Sequence, residues 1–586
     1  MQYKDLVEVY GQLEKTTKKL EKTSILSKLF KKASEEDLKY LPFLLEGKIF
    51  TDYDERELGI SSKLMVKIIS STTGAETSAV ENSWKEEGDL GLVAEKLLNK
   101  SKQLSLRHEN LTVKKILENL QKLPEFEGKG SQDRKIQLVS ELLNNSFPIE
   151  AKFIVKTVLG ELRVGIASGI IRDAIVWAFF DKEVGLEYKK DENSIEVNRE
   201  AYKKIVDLVQ HAYDLKNDFS EVAVMAKKGI KYLEDTSINI GKPINVMLYQ
   251  KAEDINDAFK TVGKPAAFEP KFDGFRLAIH KLNNEVILYT RRLENVTKQF
   301  PEVVSSIRKY TKGKDFILDS EAVGFDPETR KYFPFQMISQ RIKRKYDIEE
   351  ISRKYPMEVN VFDVLYCNGK SMLNEKFRDR RKLLRTIIPK DTDKKIRLAK
   401  QLITSDVKEA EKFFKESLKE GEEGVMAKNL EAIYKPGKRI GYGVKIKPVA
   451  ENLDLVITAA EHGTGKRVKW LSSFYISCKD KEEFLEVGKV STGGKEKEEQ
   501  GLSFAELTRL LKPFITEEHG RRVKIKPKIV IEVGYEEIQK SPTYNSGFAL
   551  RFPRIIRLRT DDKLPKDANT SEDIKRIYRK QKRHNN

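Results

Sequence analysis

The chain has 586 residues, more than one hydrophobic core usually supports, so we expect about two to four domains. Its 110 Lys and Arg outnumber its 91 Asp and Glu, and the formal charge of +19 favours a polyanionic partner such as nucleic acid. Two cysteines exclude a disulfide framework and a four-cysteine zinc site, and the longest apolar run, Ala174 to Phe180, is too short to span a membrane.

Residues 1–235 have the apolar periodicity of helices. Apolar side chains recur at steps of three and four in LVEVYGQLEKTTKKLEK and IQLVSELLNN, which predicts an all-α domain. The first residues interleave charged and apolar side chains without a signal-peptide apolar region, so we expect a cytosolic protein. The charged fraction of 34% is similar to the ion-pair-rich composition of thermophile proteins.

The pattern changes to short β-branched and aromatic runs over residues 236–447. RLAIH, EVILYT and EVNVFDVLY are separated by turn residues, which predicts a mixed α+β domain. Over residues 448–586 a run of strand patterns with glycine turns, including NLDLVITAAEHGTGKR and KIVIEVGYEEI, predicts a small β-barrel. The chain ends in a basic helical tail, IKRIYRKQKRHNN, which we interpret as a solvated face.

The glycine pattern argues against a P-loop ATPase. The sequence Gly369-Lys370-Ser371 has the end of that motif, but Val364 stands where the first glycine is required. The residues that carry chemistry must therefore be sought in another motif.

That motif is KxDG, in EPKFDGFR, where Lys271 precedes a predicted strand. Alone, KxDG fits a surface turn in a chain so rich in lysine. It is followed in order by LYTRRLENVT, FILDSEAVGFD, VNVFDVLY, EGVMAK, KIK and ALRFPRIIRLRTDDK. This series resembles the motifs of the covalent nucleotidyltransferases, and specifically of the ATP-dependent DNA ligases. GELRVGIASG, KPINVML and FTDYDERELGI are similar to the helical DNA-binding domain of archaeal and eukaryotic replicative ligases.

The resemblance implies three domains: a helical DNA-binding domain over residues 1–235, an α+β adenylation domain over 236–447 and an OB-fold domain over 448–586. It implies that ATP is used to seal nicks in duplex DNA, in replication, repair and recombination, through a lysyl-AMP and a DNA-adenylate. It also implies a monomer in the cytoplasm of an archaeal cell, associated with the nucleoid. A sliding clamp is a further implied partner. Gln103 and Leu106 stand where some archaeal relatives carry a clamp peptide, but the match is poor and an ordinary loop fits better.

By the same resemblance, Lys271 is the nucleophile. An amine attacks the α-phosphate of ATP only when neutral, so the pKa of a nucleophilic lysine must fall from its ordinary value of about 10.4 through burial or neighbouring cations. The expected neighbouring cations are Lys428, Lys445 and Lys447.

The resemblance also assigns the residues that bind ATP. Glu269 recognises adenine, Phe362 stacks on it and Arg276 contacts the ribose. Phosphates are bound by Arg291, Arg439, Lys445 and Lys447.

Glu321 and Glu423 are the implied ligands of a magnesium or manganese ion, since a hard cation suits a few carboxylates with several waters. Glu422, beside Glu423, offers an alternative ligand. As isolated residues, Glu321 and Glu423 also fit surface charge on strand ends.

Three departures from the family pattern are present. The last motif usually reads RxDK but is one residue longer here, at Arg559-Thr560-Asp561-Asp562-Lys563; Arg292 replaces a small polar residue; and Gly443 replaces an aromatic one. RNA capping or RNA ligation could use the same Lys271 chemistry, and a DNA-binding scaffold without catalysis is a non-enzymatic alternative. NAD-dependent ligases typically carry a four-cysteine module, which this chain cannot build.

Overall fold

The computed structural model describes residues 1–100, 110–333, 335–344, 346–388, 392–448, 452–463, 470–491, 503–519, 522–559 and 562–583. The chain divides into two compact units. The first contains Met1–Gln250, Gly274–Ala399 and Leu430–Tyr442, and the second contains Lys251–Asp273, Lys400–Asn429 and Gly443–Asn586. No described helix is long and apolar enough to cross a membrane.

The N-terminal part of the first unit is helical, as the sequence predicts. Its helices are α1 (Tyr3–Lys15), α2 (Lys19–Lys32), α3 (Glu35–Leu38), α4 (Leu41–Glu46), α5 (Ser62–Thr73), α6 (Thr77–Glu87), α7 (Leu90–Lys100), α8 (Val113–Lys122), α9 (Ser131–Asn144), α10 (Pro148–Val158), α11 (Ser168–Phe179), α12 (Arg199–Lys216), α13 (Phe219–Lys228) and α14 (Ile230–Glu234).

Helix α8 illustrates why these segments fold as they do. Thr112 caps its N-terminus by accepting the backbone N–H of Lys115. The side chains of Val113, Ile116 and Leu120 follow the helical repeat and are fully buried. Such faces together form one apolar core for the whole helical domain.

One finding differs from the all-α prediction. Between α11 and α12 lies a two-stranded antiparallel hairpin, formed by β1 (Glu187–Lys189) and β2 (Ser194–Glu196). Asn193 adopts a left-handed φ of 48° in its turn, a conformation that asparagine tolerates. The strands have three residues each, too short for the alternation of a strand to be recognised in the sequence.

The middle of the chain supplies two sheets and the helices that cover them. Its elements are β3 (Leu248–Lys251), α15 (Ile255–Val262), β4 (Ala266–Lys271), β5 (Phe275–Leu282), β6 (Glu285–Thr290), α16 (Pro301–Tyr310), β7 (Asp315–Gly324), α17 (Phe335–Ile342), α18 (Ile348–Lys354), β8 (Met357–Cys367), β9 (Lys370–Ser371), α19 (Phe377–Ile387), β10 (Ile396–Leu398), β11 (Leu402–Thr404), α20 (Val407–Lys419), β12 (Gly424–Asn429) and β13 (Arg439–Ile446).

The six-stranded sheet belongs to the first unit and has the order β10-β8-β7-β5-β6, with β9 paired to β8. Alternate side chains on its strands, such as Leu277, Leu318 and Val361, form an apolar core with residues of α16 and α19. The positions between them, including Arg276 and Glu321, therefore lie on the opposite face of the sheet.

The five-stranded sheet has the order β11-β4-β12-β13-β3. One face is apolar: Phe268, Val425 and Val444 pack with Phe259 of α15 and Phe413 of α20. The other face carries the candidate residues of this sheet, as described below.

The C-terminal part of the second unit is rich in strands. Its elements are β14 (Leu453–His462), β15 (Leu471–Asp480), β16 (Glu483–Val490), α21 (Phe504–Leu511), β17 (Ile515–His519), β18 (Arg522–Ile525), β19 (Val530–Gly534), β20 (Glu537–Lys540), β21 (Phe548–Arg551), β22 (Arg554–Leu558) and α22 (Ser571–Arg583). Seven of these strands form one sheet, and β20 pairs with β21.

The basic C-terminal tail is more than a solvated face. It forms α22, whose Ile574 is fully buried in the core of the strand-rich domain. Ile577 and Tyr578 pack against the same core, while Arg576 and Arg579 are exposed. The tail therefore contributes one apolar stripe to this domain.

Candidate functional site

Strand alternation places a group of lysines on one face of the five-stranded sheet. Glu269 and Lys271 are two residues apart on β4, so their side chains point to the same side. Met426 of β12 lies opposite both Glu269 and Lys445, which puts Lys445 on that face. Lys428 lies two residues beyond Met426 and shares it. We call this side of the sheet the lysine face.

Glu423 reaches the lysine face because of Gly424. The φ of Gly424 is +146°, and a Cβ there would lie 2.1 Å from the carbonyl oxygen of Ile446, so only glycine fits. The backbone N–H of Glu423 donates to the carbonyl of Lys271 over 2.9 Å. Oε2 of Glu423 is 2.6 Å from Nζ of Lys271 and 2.7 Å from Nζ of Lys447. One carboxylate thus bridges two lysines.

This bridge shifts the pKa values of Glu423 and Lys447. Burial alone would raise the pKa of Glu423, but Lys271 and Lys447 outweigh it and lower the pKa to about 2. Burial likewise opposes the charge of Lys447, but Glu423 and Glu536 raise its pKa. Oε2 of Glu536 is 3.2 Å from Nζ of Lys447. At neutral pH, Glu423 is therefore an anion and Lys447 a cation.

Glu269 is held by a second ion pair on the lysine face. Its Oε2 lies 2.6 Å from Nζ of Lys428, and its Oε1 accepts an N–H from the Gln401 amide over 2.9 Å. Both charged side chains are almost fully buried, at 3% and 5% exposure. Lys428 thus binds Glu269, while Lys447 is the cation that shares a carboxylate with Lys271.

A separate group of arginines lies in the first unit. Arg276 of β5 is directly opposite Glu321 of β7, and Arg291 follows the end of β6, the strand on the other side of β5. Burial lowers the pKa of Arg291, and the charges of Arg276 and Arg439 lower it further, whereas Glu321 opposes the shift. Two guanidinium groups therefore repel that of Arg291, an arrangement that an anion would stabilise.

Arg276 is fixed by a buried carboxylate. Its Nε–H donates to Asp319 over 2.8 Å, its Nη2 is also paired with Asp319, and its Nη1–H donates to the carbonyl of Met247 over 2.8 Å. The hydroxyl of Tyr434 donates to Asp319 over 2.8 Å and accepts the N–H of Met247. Burial opposes the charge of Arg276, but Asp319 raises its pKa well above the ordinary value. Most of its N–H groups are thus engaged within the protein.

Phe362 is the extra residue of a β-bulge in β8. Asp319 pairs with Asp363, but Ser320 pairs with Val361, so the register shifts at Phe362. Behind the bulge, Asp363 and Arg380 form an ion pair at 2.7 Å, each with 1% of its side chain exposed. The Arg276 guanidinium lies 5.5 Å from the centroid of the Phe362 ring. The bulge and the ion pair together fix where this ring is presented.

The structure thus divides the predicted site residues between the two units. The second unit contains Glu269, Lys271, Glu423, Lys428, Lys445 and Lys447. The first unit contains Arg276, Arg291, Glu321, Phe362 and Arg439. Within the described residues, no group of three or more His, Cys, Asp or Glu side chains is arranged to hold a metal ion.

Several contacting residues were missed by the sequence analysis. Asp319 could have been found, because it lies two residues before Glu321 on the same strand and so shares its face. Gln401 and Glu536 gave no signal, since Gln401 precedes a three-residue strand and Glu536 is more than 80 residues from Lys447 in the chain.

The variant last motif is held together by carboxylates of the strand-rich domain. Nη1 of Arg559 lies 3.1 Å from Asp454, and Nζ of Lys563 lies 2.5 Å from the same carboxylate. Arg559 also pairs with Asp562. Thr560 and Asp561 are outside the described residues. Both basic ends of the motif therefore meet at Asp454 despite the additional residue.

Comparisons with known proteins cover most of the chain. Models described as DNA ligase N terminus, ATP dependent DNA ligase domain and ATP dependent DNA ligase C terminal region match residues 2–176, 246–447 and 467–562. The DNA ligase of Nanoarchaeum equitans is 44% identical over 99% of both chains. That of Thermococcus onnurineus is 43% identical over 100% of this chain and 99% of its own.

A solved structure named Pmar-Lig_PreS3 is 16% identical, with a TM-score of 0.53 over 94% of this chain and 99% of that one, and shows the fold alone. A helical domain, a central nucleotidyltransferase domain and a strand-rich domain thus follow one another, which defines a nucleotidyltransferase of modular build. The chain belongs to the family of ATP-dependent DNA ligases, and its full-length relatives are archaeal. It is an enzyme that uses ATP to seal nicks in DNA, which resolves the alternatives of RNA capping and of a scaffold without catalysis.

Proposed function

We propose that Lys271 is the residue that carries AMP during nick sealing. Its Nζ attacks the α-phosphorus of ATP, the bond to the β-phosphate breaks, and pyrophosphate leaves while the amine loses a proton. An oxygen of the 5′-phosphate at the nick then attacks the AMP phosphorus and breaks the P–N bond. Finally the 3′-hydroxyl attacks the 5′-phosphorus, loses its proton, and AMP leaves as the strand closes.

The observation that carries this proposal is the carboxylate bridge on the lysine face. Lys271 is one of two lysines that share Glu423, at 2.6 and 2.7 Å. A paired ammonium cannot attack, so Lys271 must lose its proton before the first bond forms. Glu423 is a poor proton acceptor because its pKa is about 2. Before a metal ion binds, it holds the two lysines in place, while Lys447 remains a fixed cation for the phosphates.

The arginine group supplies further positive charge. Burial lowers the pKa of Arg291, and the charges of Arg276 and Arg439 lower it further, so an incoming phosphate relieves repulsion that already exists. We therefore assign phosphate binding to Arg291 and Arg439, together with Lys445 and Lys447 of the lysine face. The guanidinium of Arg276 is largely engaged by Asp319. We propose that Arg276 contacts the ribose of ATP with its remaining surface.

We assign adenine recognition to Glu269 and Phe362. The Glu269 carboxylate is held by Lys428 and Gln401, which fixes its orientation as an acceptor. Phe362 is presented at a bulge backed by a buried ion pair, so its ring is pre-positioned for stacking. Replacing either side chain should raise the KM for ATP more than it lowers kcat.

Glu321 and Glu423 are the proposed carboxylates for a magnesium or manganese ion. The fit rests on Glu423, which is ionised at neutral pH, and on the preference of hard cations for a few carboxylates and several waters. When bound, such an ion would neutralise charge that develops on the phosphates and on pyrophosphate. Glu422 accepts the backbone N–H of Asp273 over 3.2 Å, so it has a structural contact of its own.

The partner of the enzyme is DNA, and we propose that it is nicked duplex DNA bound by a monomer, mainly through its phosphates. We also propose the boundaries 1–235, 236–447 and 448–586 for the helical, adenylation and OB-fold domains, and a cytoplasmic, nucleoid-associated location.

A sliding clamp is a further proposed partner. Gln103 and Leu106, the residues that stand where a clamp peptide would be, lie outside the described residues, so this proposal rests on the sequence alone. A pull-down with clamp should be unchanged in Gln103→Ala if the segment is an ordinary loop.

The nucleophile is tested by incubating the protein with α-labelled ATP and magnesium. We expect wild type to acquire an acid-stable label and Lys271→Ala and Lys271→Arg to acquire none, because only a lysine amine can form the P–N bond here. Lys419→Ala, which removes an exposed lysine of α20, is the matched control and should label normally. Equal labelling of Lys271→Ala and wild type would overturn the assignment.

A further inference from the structure

A basic pocket lies at the β10 edge of the six-stranded sheet, and none of the residues assigned above lines it. It has a volume of about 220 Å³. The side chains that matter for its chemistry are Arg330, Lys394, Lys395, Arg397, Glu358 and Asp393. We call it the β10 pocket. All of these residues belong to the first unit.

The acidic residues of the pocket neutralise only part of its charge. Glu358 has 1% of its side chain exposed and lies 2.8 Å from Nε of Arg397 and 3.6 Å from Nζ of Lys394. Burial lowers the pKa of Lys394, Glu358 opposes this, and Arg397 and Arg330 lower it further. Four basic and two acidic side chains leave a net charge of +2. The interior of the pocket is therefore positive.

Two of the cations are available to an incoming anion. Arg330 pairs with Asp393, but their side chains are 47% and 83% exposed, and such a surface pair contributes little. Lys395 is exposed and has no carboxylate of a described residue within ion-pair distance. Arg330 and Lys395 can therefore turn to a phosphate at small cost, while Arg397 is held in place by Glu358.

Tyr332, which is not itself a lining residue, holds lining side chains in place. The hydroxyl of Tyr332 donates to Glu358 over 2.9 Å and accepts an N–H from Arg397 over 3.0 Å. Nζ of Lys394 lies 3.7 Å from the centroid of the Tyr332 ring. Volumes of about 300 Å³ or more are usual for pockets that enclose a drug-sized molecule. A pocket of 220 Å³ suits a single phosphate group rather than a nucleotide.

The pocket continues the face that carries the arginine group. Arg397 of β10 lies opposite Asn360 of β8, and Asn360 lies opposite Glu321 of β7. The Nε–H of Arg397 donates to Oδ1 of Asn360 over 2.8 Å, which ties the two strands on this side. Since adjacent strands are about 4.8 Å apart, β10 lies about 10 Å from β7.

We propose that the β10 pocket binds a backbone phosphate of the DNA substrate. The inference rests on the proposed function: the 5′-phosphate at the nick attacks AMP held on Lys271, so the nick must reach the site to which Glu321 and Arg291 are assigned. Successive phosphates of one DNA strand advance about 3.4 Å along the helix axis, so a duplex with its nick near Glu321 presents other phosphates within reach of β10. The contact positions the duplex and carries no base sequence information.

The test measures the affinity of adenylated enzyme for nicked duplex DNA by fluorescence anisotropy at several salt concentrations. The pocket variant is the double substitution Arg330→Gln and Lys395→Gln. The control variant is Arg344→Gln and Lys382→Gln, which removes the same charge from exposed residues, Arg344 after the end of α17 and Lys382 in α19. We expect the slope of log Kd against log salt to fall by about 1 to 2 in the pocket variant and by much less in the control.

Labelling with α-labelled ATP separates this inference from the proposed function. The pocket variant should form lysyl-AMP at the wild-type rate, because its substitutions touch none of the residues assigned to ATP. Equal salt slopes in the pocket and control variants would overturn the inference. A wild-type slope combined with weaker binding of labelled inorganic phosphate by the pocket variant would also overturn it, since the pocket would then bind free phosphate instead of DNA.

Discussion

At the scale of single residues, the charge of Glu423 determines how the lysine face is organised. Both lysines that contact it would repel each other without it, and the backbone of Lys271 is held by pairing with Gly424. The free energy of this arrangement depends on pH, because only the ionised carboxylate attracts the lysines.

Acid should therefore weaken the bridge over a defined range. The pKa of Glu423 falls from 4.5 to about 2 on folding, so its stabilisation is complete above the higher value and is lost as pH falls toward the lower one. The shift corresponds to about 3 kcal/mol at neutral pH. We expect Glu423→Gln to lower the thermal unfolding midpoint near neutral pH, and the difference from wild type to shrink as pH is lowered.

The matched control for this prediction is Glu420→Gln, because Glu420 forms an exposed pair with Lys400, with both side chains about half exposed. Its unfolding midpoint should stay close to that of wild type at every pH. A difference between Glu423→Gln and wild type that does not change between neutral and acidic pH would contradict the assigned role of the charge.

The sequence predicted part of this site and missed part of it for identifiable reasons. Alternation on β4 suffices to place Glu269 and Lys271 on one face, since they are two residues apart. The position of Glu423 depends on the left-handed backbone of Gly424, which a side-chain pattern does not reveal. Lys428 pairs with Glu269 and not with Glu423, the carboxylate beside Lys271. This choice depends on which strands are adjacent in the sheet, which no local sequence pattern encodes.

At the scale of elements, the pairing of β12 with β13 positions the bridge. Gly424 passes so close to the carbonyl of Ile446 that a Cβ would lie 2.1 Å from its oxygen. We expect Gly424→Ala to destabilise the fold by at least about 2 kcal/mol, because both the left-handed φ and the clash with backbone must be relieved. Urea unfolding measures this loss, and lysyl-AMP formation should fall with it as Glu423 is displaced.

Gly169→Ala in α11 is the control for that variant. A Cβ there meets no atom within 4 Å, and alanine is favoured over glycine in a helix by up to about 1 kcal/mol. Its stability should equal or exceed that of wild type. If Gly424→Ala were as stable as Gly169→Ala, the steric account of β12 would be wrong.

Elements with long, regular patterns were predicted well, and short or irregular ones were not. The helical domain followed from apolar side chains repeated over many turns, as in α8. The hairpin of β1 and β2 escaped because three-residue strands carry too few positions for alternation. The last helix, α22, was interpreted as solvated because its charges outnumber its apolar residues, yet Ile574 anchors it in a core.

At the scale of the whole molecule, three ligase domains follow one another along a chain of net charge +19. The order of its motifs predicted the class of enzyme. Each motif alone could be an ordinary stretch of protein surface, but the complete ordered series could not. The positive net charge predicted the class of partner, because a basic protein of this size favours binding to a polyanion. Neither could reveal that the candidate residues divide between two compact units, which depends on long-range contacts.

The central claim is that Lys271 carries AMP and is needed for no other step. The most direct test compares sealing of an ordinary nick with ATP and sealing of a nick whose 5′-phosphate already carries AMP, without ATP. We predict that wild type seals both, whereas Lys271→Ala seals only the pre-adenylated nick, because the final displacement needs no lysyl-AMP. Sealing of the ordinary nick by Lys271→Ala at the wild-type rate would contradict the account.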